Sequence, residues 1–111
     1  MELRVEHLSG AVDRAVAIGR WDVAGAAEID LHFSALSGSG RSIILDMAQV
    51  AFLSSMGIRS IVMAAKAVGS RRAKMVLLAP DAHVAAVLTG AGIDTLVPIH
   101  LTLETALAAV G

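Results

Sequence analysis

Ser54 and Ser55 are the side chains in this 111-residue chain whose type and place most suggest a functional site. They stand just ahead of Ile58, Ile61, Val62 and Ala65, whose i, i+3, i+4, i+7 spacing predicts an amphipathic helix. Serine is among the preferred N-cap residues, so one reading of the pair is simply a helix start. Two carboxylates suggest more. Asp46 ends the apolar run Ile43-Ile44-Leu45, and Asp22 follows a second expected strand. Both are expected at carboxyl ends of strands, on the sheet edge where the serine-bearing helix begins. In open α/β sheets that edge is where ligands and partners bind. The site so read is small, polar and suited to regulation.

The same helix carries a second signal. Met56 and Met63 are seven residues apart, with Arg59 and Lys66 beside them at the same interval. Exposed methionine is adaptable and frequent at partner surfaces, so these four are expected to form a docking face. The bland alternative tucks both methionines beneath a neighbouring loop.

Other constellations carry less. Gly38-Ser39-Gly40-Arg41-Ser42 resembles a phosphate loop only superficially. A Walker loop follows a strand, precedes a helix and contains a lysine, whereas these glycines follow an expected helix and lack it. His7, His32, His83 and His100 fall in four different elements, with no i, i+4 pair, so no metal site is expected. No Gly-x-Ser-x-Gly elbow is present, and no catalytic residue is assigned.

Bulk composition narrows the class. The chain is 56% hydrophobic and 17% charged, which suits a packed core and one domain spanning residues 1–111. No apolar run reaches the roughly 18 residues needed to cross a bilayer. The alternating start, Met1 to Glu6, has no signal-peptide core, and there are no cysteines. The expectation is a cytoplasmic protein without membrane insertion. A net charge of −1 gives no electrostatic case for direct nucleic-acid binding.

The elements that must position the serines follow from periodicity. Leu3, Val5 and His7 alternate with Glu2, Arg4 and Glu6 as in a half-exposed strand, and Ser9-Gly10 predicts a hairpin turn into a strand over 11–18. Asp22 or a neighbour caps a helix with Ile29, Phe33 and Leu36 inward, stopped by Ser37-Gly38-Ser39-Gly40. Ile43 to Leu45 and Met75 to Leu78 read as strands buried on both faces. Pro80 and Asp81 open a helix with Val84, Val87 and Leu88 inward. Gly90-Ala91-Gly92 ends it, Leu96 to Ile99 forms a short or edge strand, and Thr102 caps a last helix. The predicted fold is α/β: a four- to five-stranded mixed sheet with about four helices, in the order β-β-α-β-α-β-α-β-α.

The run Asp46-Met-Ala-Gln-Val-Ala-Phe-Leu-Ser-Ser-Met-Gly-Ile-Arg59 resembles the signature of bacterial anti-sigma factor antagonists, the STAS domain family. Gly19-Arg20-Trp21-Asp22 resembles that family's Gly-x-Leu-Asp approach to the first helix. The segments Met75 to Leu78, Leu88-Thr89-Gly90 and Leu103 to Leu107 follow its closing pattern. The resemblance implies a protein without catalytic activity or cofactor, whose partners are an anti-sigma factor acting as a serine kinase and a serine phosphatase. Unphosphorylated, such a protein releases a sigma factor. Phosphorylation at the start of the second helix turns it off. The residue directly before the family's glycine, here Gly57, often carries the phosphate, but that position is Met56. The expected acceptor is therefore Ser55 first and Ser54 second, with Asp22, Asp46 and Gly57 as the surrounding pocket. Related domains also serve as accessory subunits of phospholipid-transport ATPases or as stress-signalling scaffolds. A nucleotide- or acyl-binding role for the pocket is a further alternative.

Overall fold

In the computed structural model five strands lie side by side in chain order. They are β1 Glu2–His7, β2 Val12–Trp21, β3 Ser42–Leu53, β4 Met75–Leu78 and β5 Ile99–His100. The structure describes residues 1–8 and 10–111, so Ser9 of the expected Ser9-Gly10 turn lies outside the described residues. β1 runs antiparallel to β2, and every later pair is parallel. Parallel neighbours need long crossovers. Helices α1 Val23–Ser37, α2 Ser55–Ser70 and α3 Ala82–Gly90 supply them, and α4 Leu103–Val110 closes the chain. The mixed sheet and the element order are those predicted.

Apolar runs form the central strands because both sheet faces are covered. Ala15, Leu45 and Leu77 are in register, fully buried, and belong to the core that α1, α2 and α3 share. One residue earlier, Ile44 and Val76 turn to the opposite face, where Ala106 and Val110 of α4 cover them. Trp21 is fully buried and meets Phe33 of α1 edge to face at 5.8 Å. Within α2 the inward residues are Gly57, Ile61, Ala64 and Val68, while Ile58, Val62 and Ala65 are half-buried. The inward stripe is thus turned slightly from the one predicted.

Three boundaries differ from expectation. β2 continues to Trp21 instead of stopping at Ile18, and β3 continues to Leu53 instead of ending at Asp46. β3 carries an extra residue opposite Val16–Ile18 and another opposite Gly19–Arg20. Each bulge resets the in–out alternation, so the continued strand has no clean period of two in the sequence. The last strand is confined to Ile99–His100 because the N–H groups of Leu96 and Val97 bond back to the Ile93 carbonyl and Pro98 has no N–H to give to a ladder.

Opposite the serine edge, Asp13 is almost completely buried between His7 and Arg41, at 2.5 Å and 2.8 Å. Burial alone would raise its pKa. The hydrogen bonds from His7 and Arg41 and the charge of Arg41 outweigh that, so it lies below the usual 3.8. The folded state thus favours the carboxylate. Its contribution to stability is complete above about pH 4 and is lost as pH falls through the depressed value. Urea midpoints measured from pH 5 down to pH 2 should fall with acid. They should fall less in Asp13→Asn, which has no carboxylate to protonate.

Candidate functional site

Strand β3 ends at Leu53 and α2 begins at Ser55, leaving Ser54 as the hinge between sheet and helix. Its backbone is extended, as an N-cap requires, and its Oγ accepts the Gly57 N–H at 3.3 Å. The same hydroxyl donates to the carbonyl of Trp21 at 2.7 Å, and the Ser54 N–H reaches that carbonyl at 2.9 Å. Ser54 therefore ties the tip of α2 to the end of β2. Both its accepting and donating capacities are used. Removing the hydroxyl, Ser54→Ala, should cost about 1–2 kcal/mol from the lost cap, read as a lower urea midpoint.

Ser55 is different. It is the first residue of α2, exposed, and its hydroxyl makes no hydrogen bond among the described residues. The first turn of the helix contains no acidic side chain. A helix N-terminus with free N–H groups favours negative charge, by roughly 0.3–1 kcal/mol at an exposed site.

Asp22 lies beside this edge as expected. It follows Trp21, the last residue of β2, and caps α1 by accepting the Gly25 N–H at 2.8 Å. Thus α1 and α2 begin side by side, each with its own cap, because Trp21 and Leu53 are partners in the sheet. Arg20 completes the edge. Its guanidinium lies 4.5 Å over the Phe52 ring, and its Nε is 3.7 Å from Asp22, beyond hydrogen-bonding distance.

Asp46 does not join them. It sits inside β3, seven residues before Leu53, and pairs with Arg14 at 2.7 Å. Its second carboxyl oxygen accepts the Ala48 N–H at 3.0 Å. Asp46 shares its rung with Val16 and Leu78, between Leu45 and Met47 of the α1–α2 core, so it points to the opposite sheet face. Adjacent residues of a strand face opposite ways, which placing Asp46 at a strand end concealed. The expected pocket loses Asp46 as a member.

Gly57 stands against the core. A Cβ there would lie 2.6 Å from Leu53 Cδ1 and 2.8 Å from Trp21 Cγ, so only glycine lets the helix tip rest on the indole. Met56, Arg59 and Met63 line a groove of about 520 Å³ between α1 and α2. Met63 is 58% exposed, whereas Met56 is half-buried against the core. Lys66 is exposed on the next turn, outside the groove lining. The α1 wall, with Asp30, Phe33 and Ser34, was not anticipated. Ser60 donates to Asp30 at 2.9 Å and holds the two helices together. Among the described residues, no histidine bonds either serine, and no three His, Cys, Asp or Glu side chains group as a metal site.

Fold and site together define a small α/β domain with a serine-tipped helix at the carboxyl edge of a mixed sheet. The STAS domain model matches residues 4–106, and the chain belongs to that family. The fold is similar to that of an anti-sigma-factor antagonist (STAS) domain protein from Planctomyces limnophilus. That pair shares 23% identity over 98% of this chain and 97% of the other, with a TM-score of 0.86. An anti-sigma factor antagonist from Mycobacterium paratuberculosis shares 24% identity over 98% and 92%, with a TM-score of 0.80. The Bacillus cell fate determinant SpoIIAA in its phosphorylated form shares 17% identity over 97% and 98%, with a TM-score of 0.73. No curated protein sequence matches.

Proposed function

We propose that this protein is an anti-sigma factor antagonist switched by phosphorylation of Ser55. Unmodified, it binds an anti-sigma factor that is also a serine kinase, and a sigma factor is released. Modified, it lets go, and a serine phosphatase resets it. The observation that carries this reading is the division of labour between the two serines. Ser54 has its hydroxyl committed to the cap and to the Trp21 carbonyl, while Ser55 presents a free hydroxyl at the exposed helix tip.

The partner surface is the outward side of α2. Met56 and Met63 offer adaptable apolar contact, and Arg59 and Lys66 are exposed cations without an ion pair among the described residues. Ser55 is at one end of this face, so a phosphate there would sit inside or at the rim of the contact. The family placement and the similarity of fold to anti-sigma factor antagonists support the same reading. Incubating the protein with ATP and each candidate kinase from its own genome, then mapping sites by mass spectrometry, tests it. Phosphate on Ser55 is the expected result. Phosphate confined to another residue, or none with any kinase, would refute it.

A further inference from the structure

Strand β1 ends the sheet on one side, and among the described residues nothing pairs with its outer edge. The other edge, β5, is only two residues long, too short to recruit a strand. Which β1 groups face outward follows from the hairpin. The Leu8 N–H bonds to the Val12 carbonyl at 2.9 Å, continuing the register of β1 on β2, so these two form a hydrogen-bonded pair. Such pairs recur at every second residue of an antiparallel ladder. Glu2, Arg4 and Glu6 therefore direct their backbone groups to Ile18, Val16 and Arg14, while those of Leu3, Val5 and His7 point away from the sheet. The side chains alternate with the same period. Leu3 and Val5 are half-buried against the α1–α2 core, and Glu2, Arg4 and Glu6 are exposed on the other face, with Arg4 reaching back to Glu2. Charges on an edge strand ordinarily keep edges apart. Here they alternate in sign, so a reversed copy shifted by two residues sets each charge against its opposite.

We propose that a second copy of this chain pairs antiparallel with β1 about a two-fold axis at Val5. In that register Val5 lies opposite Val5, and Leu3 of each copy lies opposite His7 of the other. All these residues have outward backbone groups, so each pair exchanges two N–H···O=C bonds. Between them, where side chains approach most closely, Arg4 of each copy lies opposite Glu6 of the other. Moving the axis one residue, to Arg4 or Glu6, keeps the backbone bonds but sets Arg4 on Arg4 or Glu6 on Glu6. An axis at Leu3 also matches the charges, but it leaves His7 unpaired and needs the Met1 amino group, which Glu28 holds at 2.7 Å. The axis at Val5 is perpendicular to the sheet. Both α1–α2 layers then lie on one side, and the carboxyl edges of the two copies point to opposite ends. Because α2 packs over β3 and β4, away from the seam, both Ser55 tips stay uncovered.

A seam of six residues is at the small end of specific interfaces, so the dimer is expected to form with a Kd on the order of 100 µM. Sedimentation equilibrium of the full chain, from about 10 µM to about 1 mM, reads it. Arg4→Glu and Glu6→Arg alter exposed side chains, so each variant should give the parent's circular dichroism. Each should associate at least about tenfold more weakly, because like charges then meet at both Arg4–Glu6 positions. An equimolar mixture of the two variants should recover the parent's association. There the introduced glutamate faces the introduced arginine, and the native Glu6 faces the native Arg4. A parent that stays monomeric at about 1 mM would overturn the pairing. So would either variant dimerising as the parent does, or a mixture no more associated than its components.

Discussion

Ser55→Asp should weaken binding to the partner kinase by on the order of a hundredfold, about 2.7 kcal/mol, while Ser55→Ala should bind as the parent does and resist inactivation by ATP. The direction follows from where Ser55 lies. A carboxylate at the first position of α2 meets free N–H groups and the positive end of the helix, with no acidic neighbour in that turn. The folded protein should accept it at no loss, or gain a few tenths of a kcal/mol. The loss appears only in the complex. There the charge must be desolvated beside Met56 and near Asp22, and an unpaired buried charge is costly. Aspartate carries one charge and phosphate about 1.5 to 2 at neutral pH, so the true modification should act more strongly. The diagnostic result is a split: an unchanged melting temperature with a raised Kd. Two variants that both bind like the parent would show that Ser55 is no switch.

The sequence disclosed the fold well because most of its strands follow simple rules. Ile43 to Leu45 and Met75 to Leu78 are continuous apolar runs, and they lie buried on both faces. Asp22, Asp81 and Thr102 were legible as caps, and each accepts a backbone N–H in the first turn of its helix. The exposed and bonded halves of the Ser54–Ser55 pair were not separable in advance. Their difference depends on a carbonyl, that of Trp21, thirty-three residues away in the chain. Asp46 misled for a related reason. A carboxylate after three apolar residues looks like the end of a strand, but Arg14 on the adjacent strand makes a partly buried position tolerable. Such cross-strand partners leave no local signal. The α1 wall of the groove was hidden because Asp30 and Ser34 look like ordinary solvent-facing residues until α2 packs beside them.

Gly25→Ala should be the most damaging single methyl group in the molecule. Gly25 is in the first turn of α1, where its N–H is received by Asp22. A Cβ at this position would lie 2.1 Å from the Arg20 carbonyl oxygen and 3.2 Å from the carbon of the same group. Neither atom belongs to a flexible side chain, so the helix start or the end of β2 must move. Both are tied down, β2 by pairing through Trp21 to Leu53 and α1 by Phe33 against the indole. Overpacking against fixed atoms costs about 1–3 kcal/mol and occasionally more. The upper end applies here, corresponding to a drop in melting temperature of roughly 10–15 °C at this size. Gly69→Ala supplies the opposite sign. Gly69 lies in α2 with nothing within 4 Å of an added Cβ, so alanine should raise stability by about 0.5–1 kcal/mol through its helix preference alone. Calorimetry on the two variants separates the crowding at the head of α1 from any general intolerance of glycine replacement. Equal losses in both would mean that the close approach of α1 to Arg20 does not govern how the sheet edge is built.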